Sequence, residues 1–326
     1  MKAPFYFCNG NFVPADQPGI FPKDLGLVRG YGILEFLRFY EGVPFQTDAH
    51  LRRLWEAIKY VRLPLAITPD FLQKVIVQLV EKNRFSEAMV CIVMTGGVST
   101  GFLPERMPSL IVTADPFEPF PPWQYKVGIS LMSAPASRTC PEIKSTGFFS
   151  AIYETLRAKR LGFDELVYVD GKGDVLEGTT FNVFAVAPGP SLVTPEKGVL
   201  SGITAACVIR LAKDMSIPVR RSPISRDILR AAKEVFITST CRELTPVIRV
   251  DDCLIGKGHP GPLTRSFHLA LQEMIRKENA SARSASLKKT GLKASISNNG
   301  IGGIHQRTIR RLLSISSWPF RGLRSH

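Results

Sequence analysis

The sequence predicts a two-domain α/β protein, and three observations carry that expectation. The chain has 326 residues, 44% hydrophobic and 21% charged, which is more than one small domain needs and enough to bury a proper core. Short runs of strand character alternate with stretches whose apolar residues recur at helical spacing. Between Pro116 and Pro122 the chain reads PFEPFPP, a stiff connector of the kind that separates domains. The expected layout is a small α/β domain over residues 1–115, a linker over 116–123 and a larger domain over 124–279, with a tail beyond. The same composition excludes a disordered bulk, collagen-like order and a disulfide scaffold.

The small domain should open with a hairpin, Phe5–Phe7 and Asn11–Val13 about a turn at Asn9-Gly10. Ile33–Tyr40 is the next strand, and Glu41-Gly42 turns it toward Phe45. Asp48 is placed to cap a helix with Leu51, Leu54, Trp55, Ile58 and Val61 on one stripe. Thr68-Pro69 opens a second helix, expected to bury Phe71, Leu72, Val75, Ile76 and Leu79. Strands at Met89–Thr95 and Leu110–Thr113 complete the unit. Beyond the connector, strands are expected at Val127–Ser133, Leu166–Val169, Val183–Val186 and Val235–Thr238. Helical spacing falls near Ser150–Leu161, Thr204–Met215, Arg226–Ala232 and Leu263–Lys277. After about Asn279 the pattern dissolves into Ser, Lys, Gly and Asn. There is no internal repeat.

The formal charge of +14 suggests nucleic acid until it is divided along the chain. Residues 280–326 hold nine basic side chains and no acid, which leaves 33 basic against 28 acidic in the rest, or +5. The tail mixes its cations with Ile, Leu, Trp and Phe, a composition compatible with nucleic-acid or membrane contact. Its Gly and Ser content and few spaced apolar anchors favour a solvated, disordered extension. No run of about 18 apolar residues exists, so no transmembrane segment is expected. Lys2 and the polar Asn9-Gly10-Asn11 do not read as a signal peptide. Six scattered cysteines without a Cys-x-x-Cys pair then suggest reduced thiols in a cytoplasm, and five dispersed histidines suggest no metal site.

Two motifs mislead. Gly256-Lys-Gly258-His-Pro-Gly261 spells the dinucleotide fingerprint, but only one helix and the tail follow it, where a long βαβ unit is required. It reads as a glycine-rich turn. A serine-hydrolase triad lacks its Gly-x-Ser-x-Gly elbow.

The informative block runs from Glu142 to Thr204: EIKST, FDELVYVDGKGDVLEGTTFNVFAV and LVTPEKGVLSGIT. With His50-Leu-Arg-Arg53-Leu, Thr238-Ser-Thr240 and Gly-Pro-Leu-Thr264, these segments resemble the class IV aminotransferases. That pyridoxal-phosphate family holds branched-chain and D-amino-acid aminotransferases and aminodeoxychorismate lyase. The resemblance covers residues 5–278 and implies the fold-type IV architecture, with pyridoxal 5′-phosphate between the two domains. It implies Lys144 as the lysine that carries the cofactor and moves the substrate proton. Glu177 is implied at the pyridine nitrogen, which a neighbouring carboxylate keeps protonated. Arg53, Ile203, Thr204, Ser239 and Thr240 are implied around the phosphate, the Gly202-Ile203-Thr204 run opening a helix whose N–H groups suit an anion.

Two departures bear on substrate. Ala205 follows Gly-Ile-Thr where Arg is usual, and Phe149 stands where branched-chain enzymes carry a tyrosine. The substrate carboxylate has two candidate ligands: the backbone turn at Thr240-Cys241, and Arg29 in an Arg-Gly-Tyr-Gly-Ile run similar to that of a less common D-amino-acid group. The resemblance implies transamination of an α-amino acid with a 2-oxo acid in a homodimer. A lyase on the same cofactor is the enzymatic alternative. A cofactor-less protein that binds nucleic acid or membrane through its tail is the non-enzymatic one.

Overall fold

The computed structural model describes residues 4–297 apart from Pro18, Leu65, Ala66 and Pro190, with side chains as far as Ala285. Residues up to Asn279 form one compact unit and those from Ala280 a second.

The first part of the larger unit is a six-stranded antiparallel sheet. Its elements are Phe5–Cys8 (β1), Asn11–Pro14 (β2), Leu25–Arg29 (α1), Gly32–Tyr40 (β3), Val43–Pro44 (β4), Thr47–Tyr60 (α2), Pro69–Asn83 (α3), Ala88–Thr95 (β5) and Leu110–Pro116 (β6). The strand order is β2-β1-β6-β5-β3-β4. Alternation along β5 and β6 turns Val90, Ile92, Val112 and Ala114 inward, where they meet Leu54 and Ile58 of α2 and Leu72, Ile76 and Leu79 of α3.

A short helix, Trp123–Lys126 (α4), ends the connector. Then follow Ile129–Pro135 (β7), Phe149–Arg160 (α5), Glu165–Val169 (β8), Val175–Gly178 (β9), Asn182–Ala187 (β10), Ser191–Thr194 (β11), Ile203–Asp214 (α6), Val219–Arg221 (β12), Arg226–Ala231 (α7), Glu234–Ser239 (β13), Glu243–Val250 (β14), Cys253–Leu254 (β15) and Pro262–Ser297 (α8). This sheet runs β12-β11-β10-β13-β14-β7-β8-β9, with β15 on β14. A further pairing of β9 with β10 closes it on itself and sets Glu177 opposite Asn182.

Four expectations need correction. Asp48 does not cap α2; the helix begins one residue earlier and its cap is Gln46. Gln46 donates from its backbone N and its Nε2 to the Glu278 carboxylate, at 2.8 and 2.6 Å. Asp48 instead occupies the first turn, where a negative charge favours the helix dipole. Phe71 is 42% exposed, meeting the Phe7 ring edge-on, while its neighbours Leu72 and Ile76 are fully buried. Strand β14 was not expected, because Pro246 sits in its middle and proline rarely enters a central strand. Helix α8 runs past Lys277 to Ser297, through a stretch whose Ala, Leu and Lys residues favour a helix. The disordered tail expected from 280 therefore starts as helix, and residues 298–326 lie outside the described residues. The Gly256–Gly261 segment is a turn ahead of α8, with Gly256 and Gly258 at φ +55° and +73°.

Candidate active site

Lys144 is carried by a loop laid along β3. Leu34 N donates to Lys144 O at 2.8 Å, and Ile33 bridges Ser145. The lysine therefore belongs in sequence to the second part of the unit but is fixed on the first sheet. Its Nζ lies 5.4 Å from the Phe36 ring centroid in a cleft of about 290 Å³. Burial and the nearby Arg53 pull its pKa below the ordinary lysine range, Arg138 adding to the effect and Glu35 opposing it. A depressed lysine is neutral, and hence nucleophilic, over more of the pH scale.

Glu177, at the closure of β9 on β10, is 4% exposed and lines the same cleft. Arg138 Nε donates to its Oε1 at 2.8 Å, and Leu200 N donates to its Oε2 at 2.9 Å. Burial pushes its pKa up, and Arg138 with the Leu200 amide pulls against that without fully reversing it. A second cation facing this carboxylate would hold it charged.

The start of α6 lines the same cleft and is the candidate anion cradle. Helix α6 starts after Gly202, whose extended backbone ends in no side-chain cap, so the first turn directs its N–H groups outward at Ile203 and Thr204. A Cβ on Gly202 would overlap Asn182 Oδ1, whose side chain is tied to Leu200 O, so glycine suits this approach. Arg53, on α2, reaches across to donate from Nη1 to Ser201 O at 2.9 Å. Glu35 grips the same guanidinium at two points, accepting from Nε at 2.9 Å and Nη2 at 2.6 Å. Burial pushes Glu35 up, but Arg53 and His50 outweigh it and hold its pKa at about 2. A charged carboxylate only accepts, so His50, kept neutral by burial, donates from Nδ1 to it at 3.0 Å.

The cleft thus gathers Lys144, Arg53, Glu177, Ile203, Thr204, Ser239, Thr240 and Cys241. Ser239 Oγ accepts from Arg242 N at 3.1 Å, which tightens the turn at Thr240-Cys241. Arg29 is elsewhere. It is exposed at the end of α1, 5.7 Å from the Phe102 ring centroid, and lines a neighbouring cleft of about 350 Å³. The two clefts share Arg138 and Phe148. Phe149 is 85% exposed, so the ring facing the site is its neighbour Phe148. Ala205 is buried within the first turn of α6.

Sequence reasoning missed Glu35, Arg138 and Arg242. A lone carboxylate in the apolar run Gly-Ile-Leu-Glu35-Phe was a usable signal, since an unpaired buried acid is rare. Arg138 and Arg242 gave none, because their partners are distant in sequence.

Comparison with known proteins agrees with this geometry. The model of the family Amino-transferase class IV matches residues 32–250. The branched-chain-amino-acid aminotransferase of Escherichia coli (strain K12) is 29% identical over 288 residues, covering 82% of this chain and 92% of its own. The D-alanine aminotransferase of Bacillus licheniformis is 29% identical over 284 residues, covering 83% and 97%. The T.th. branched-chain amino acid aminotransferase, solved with pyridoxamine 5′-phosphate, superposes with a TM-score of 0.77 at 28% identity, over 84% of this chain and 94% of that one. With its family's matching residues spanning both sheets and the cleft between them, this chain belongs to the class IV aminotransferases.

Proposed function

We propose that the protein exchanges an amino group between an α-amino acid and a 2-oxo acid, using pyridoxal 5′-phosphate, with a donor of the branched-chain or D-amino-acid kind. The observation that carries this reading is the convergence of Lys144, Glu177 and the uncapped start of α6 on one cleft. The donor set fits the cofactor. Ile203, Thr204, Thr240 and Arg53 would hold its phosphate, and Glu177 its ring nitrogen. Lys144 would form the covalent link.

When bound, the cofactor supplies an electron-accepting ring that stabilises the charge left at the substrate Cα. Glu177, held by Arg138 and the Leu200 amide, would face the ring nitrogen and maintain that capacity. Lys144 Nζ, whose pKa burial and Arg53 depress, would take the proton from the substrate Cα and redeliver it. Phe36, Phe120 and Phe148 wall the cleft against water. Thr240 and Cys241 line the cleft that holds Lys144, and we assign the substrate carboxylate to the backbone N–H groups of their turn. Arg29, exposed in a neighbouring cleft, is the second reading, and it would then act from a partner subunit.

A homodimer accords with the outer face of α5, where Phe149, Ile152, Tyr153 and Leu156 lie exposed at helical spacing beside the exposed Tyr60. We place the protein in the cytoplasm, with its cysteines as free thiols. Among the described residues no helix is long and apolar enough to cross a membrane.

A panel of L and D amino donors with 2-oxoglutarate, read as glutamate formed, tests the proposal. Stoichiometric exchange with an apolar or D-configured donor supports it. Release of pyruvate from aminodeoxychorismate, without exchange for any donor, would make the protein a lyase.

A further inference from the structure

The aminotransferase reading leaves the side-chain end of the cleft without an assigned determinant. Phe120, from the proline-rich connector, lines the cleft and is the candidate for that wall. Its neighbours Pro119 and Pro121 stiffen the backbone but have no N–H with which to anchor it. The anchor is Arg242. Its guanidinium carbon stacks 4.0 Å from the Phe120 ring centroid, and its Nη1 donates to Gln124 Oε1 at 2.8 Å, four residues further along the same segment. Nη2 pairs with the buried Glu165 of β8, and Tyr125 Oη donates to Arg242 O at 3.2 Å. A planar guanidinium can stack and donate in several directions at once, which an ammonium cannot.

From these contacts we infer that Arg242 is a specificity-positioning residue: it holds Phe120 as the surface against which the donor's side chain packs, and so selects medium or large apolar donors. The inference rests on the aminotransferase reading. Two features of the arrangement give it its direction. Arg242 is 8% exposed and its charge is met by Glu165, so an acidic side chain gains nothing from approaching it. Arg242 also follows Thr240-Cys241 directly, and its own N–H closes that turn onto Ser239 Oγ. One short turn thereby sets both the carboxylate end and the side-chain end of the substrate.

The test uses the cofactor-loaded enzyme and compares kcat/KM for leucine with that for alanine, in whichever configuration the enzyme accepts. Phe120→Ala and Arg242→Ala should each lower the leucine-to-alanine ratio about tenfold or more, the scale on which apolar pockets discriminate, with the absorbance of bound cofactor unchanged. The double variant should be no worse than either single one, since both remove the same wall. Arg242→Lys keeps the pairing with Glu165 but loses the stack, and should fall between. Trypsin cleavage after Lys126 should be faster in Arg242→Ala than in the wild type, a readout that needs no activity. If Arg242→Ala fails to fold because Glu165 is left unpaired, Gln124→Ala and Phe120→Ala leave that pair intact and must still lower the ratio. An unchanged ratio in Phe120→Ala, or multiplying effects in the double variant, overturns the inference while leaving transamination standing. A wild type inactive with every donor overturns the functional reading, and unchanged trypsin cleavage in Arg242→Ala overturns the anchoring on its own.

Discussion

Arg138 joins Glu177 to the loop that carries Lys144: its Nε donates to Glu177 Oε1 at 2.8 Å and its Nη1 to Ile143 O at 3.0 Å. One side chain thus ties Glu177 to the Lys144 loop and supplies the positive charge that opposes the burial of Glu177.

Glu177→Gln should retain the cofactor and lose turnover by about 100-fold or more, the range seen when a preorganised charge is withdrawn from a reacting centre. Gln still accepts a hydrogen bond but cannot keep the ring nitrogen protonated. Arg138→Met removes the cation that lowers the Glu177 pKa, so that pKa rises. Activity that needs the carboxylate ionised is lost as pH falls through this pKa, and in the variant the loss begins at higher pH. A kcat–pH profile with an unmoved acid limb would contradict the coupling.

Glu35 stays charged down to about pH 2 because Arg53 and His50 face it. Its folded pKa lies below the unfolded value near 4, so its stabilising contribution is present above that value and is lost as pH falls toward 2. Glu35→Gln should therefore flatten the stability curve between about pH 5 and pH 2. Acid unfolding followed by circular dichroism measures this, and an unchanged slope would argue against it. Arg53→Ala should weaken cofactor binding by roughly 10- to 150-fold, the loss of charge-assisted hydrogen bonds worth about 1.5–3 kcal/mol.

Arg29→Ala decides between the two carboxylate sites. With the carboxylate on the Thr240-Cys241 turn, KM for the preferred donor should change by less than about twofold. A rise of about tenfold or more, with cofactor affinity intact and D-alanine preferred over L-leucine, would transfer the role to Arg29 acting across a dimer.

The parts of this site legible in the sequence are those that sit in contiguous segments. Lys144 in EIKST, Glu177 at the head of EGTTFNV and the Gly202-Ile203-Thr204 opening of α6 could each be placed from neighbouring residues. Arg138 depends on a carboxylate on another strand, and Arg242 on Gln124 and Glu165, so no local pattern reveals them. The fold divides the same way. Strands with clear alternation, such as β3 and β5, were expected. The Gln46 cap was not, because Glu278 reaches it from the far end of the unit. Strand β14 was hidden by Pro246, which stands opposite Phe236 of β13 but precedes the β7 ladder that begins at Val247.

The central claim is that Lys144 carries the cofactor, and covalent trapping tests it most directly. The protein is incubated with pyridoxal 5′-phosphate, reduced with borohydride, digested and mapped by mass spectrometry. The account predicts the reduced cofactor on the peptide containing Lys144, at a stoichiometry of about one per chain, and its disappearance in Lys144→Ala. Labelling at Lys126 or Lys159 instead, or undiminished labelling in Lys144→Ala, would contradict it.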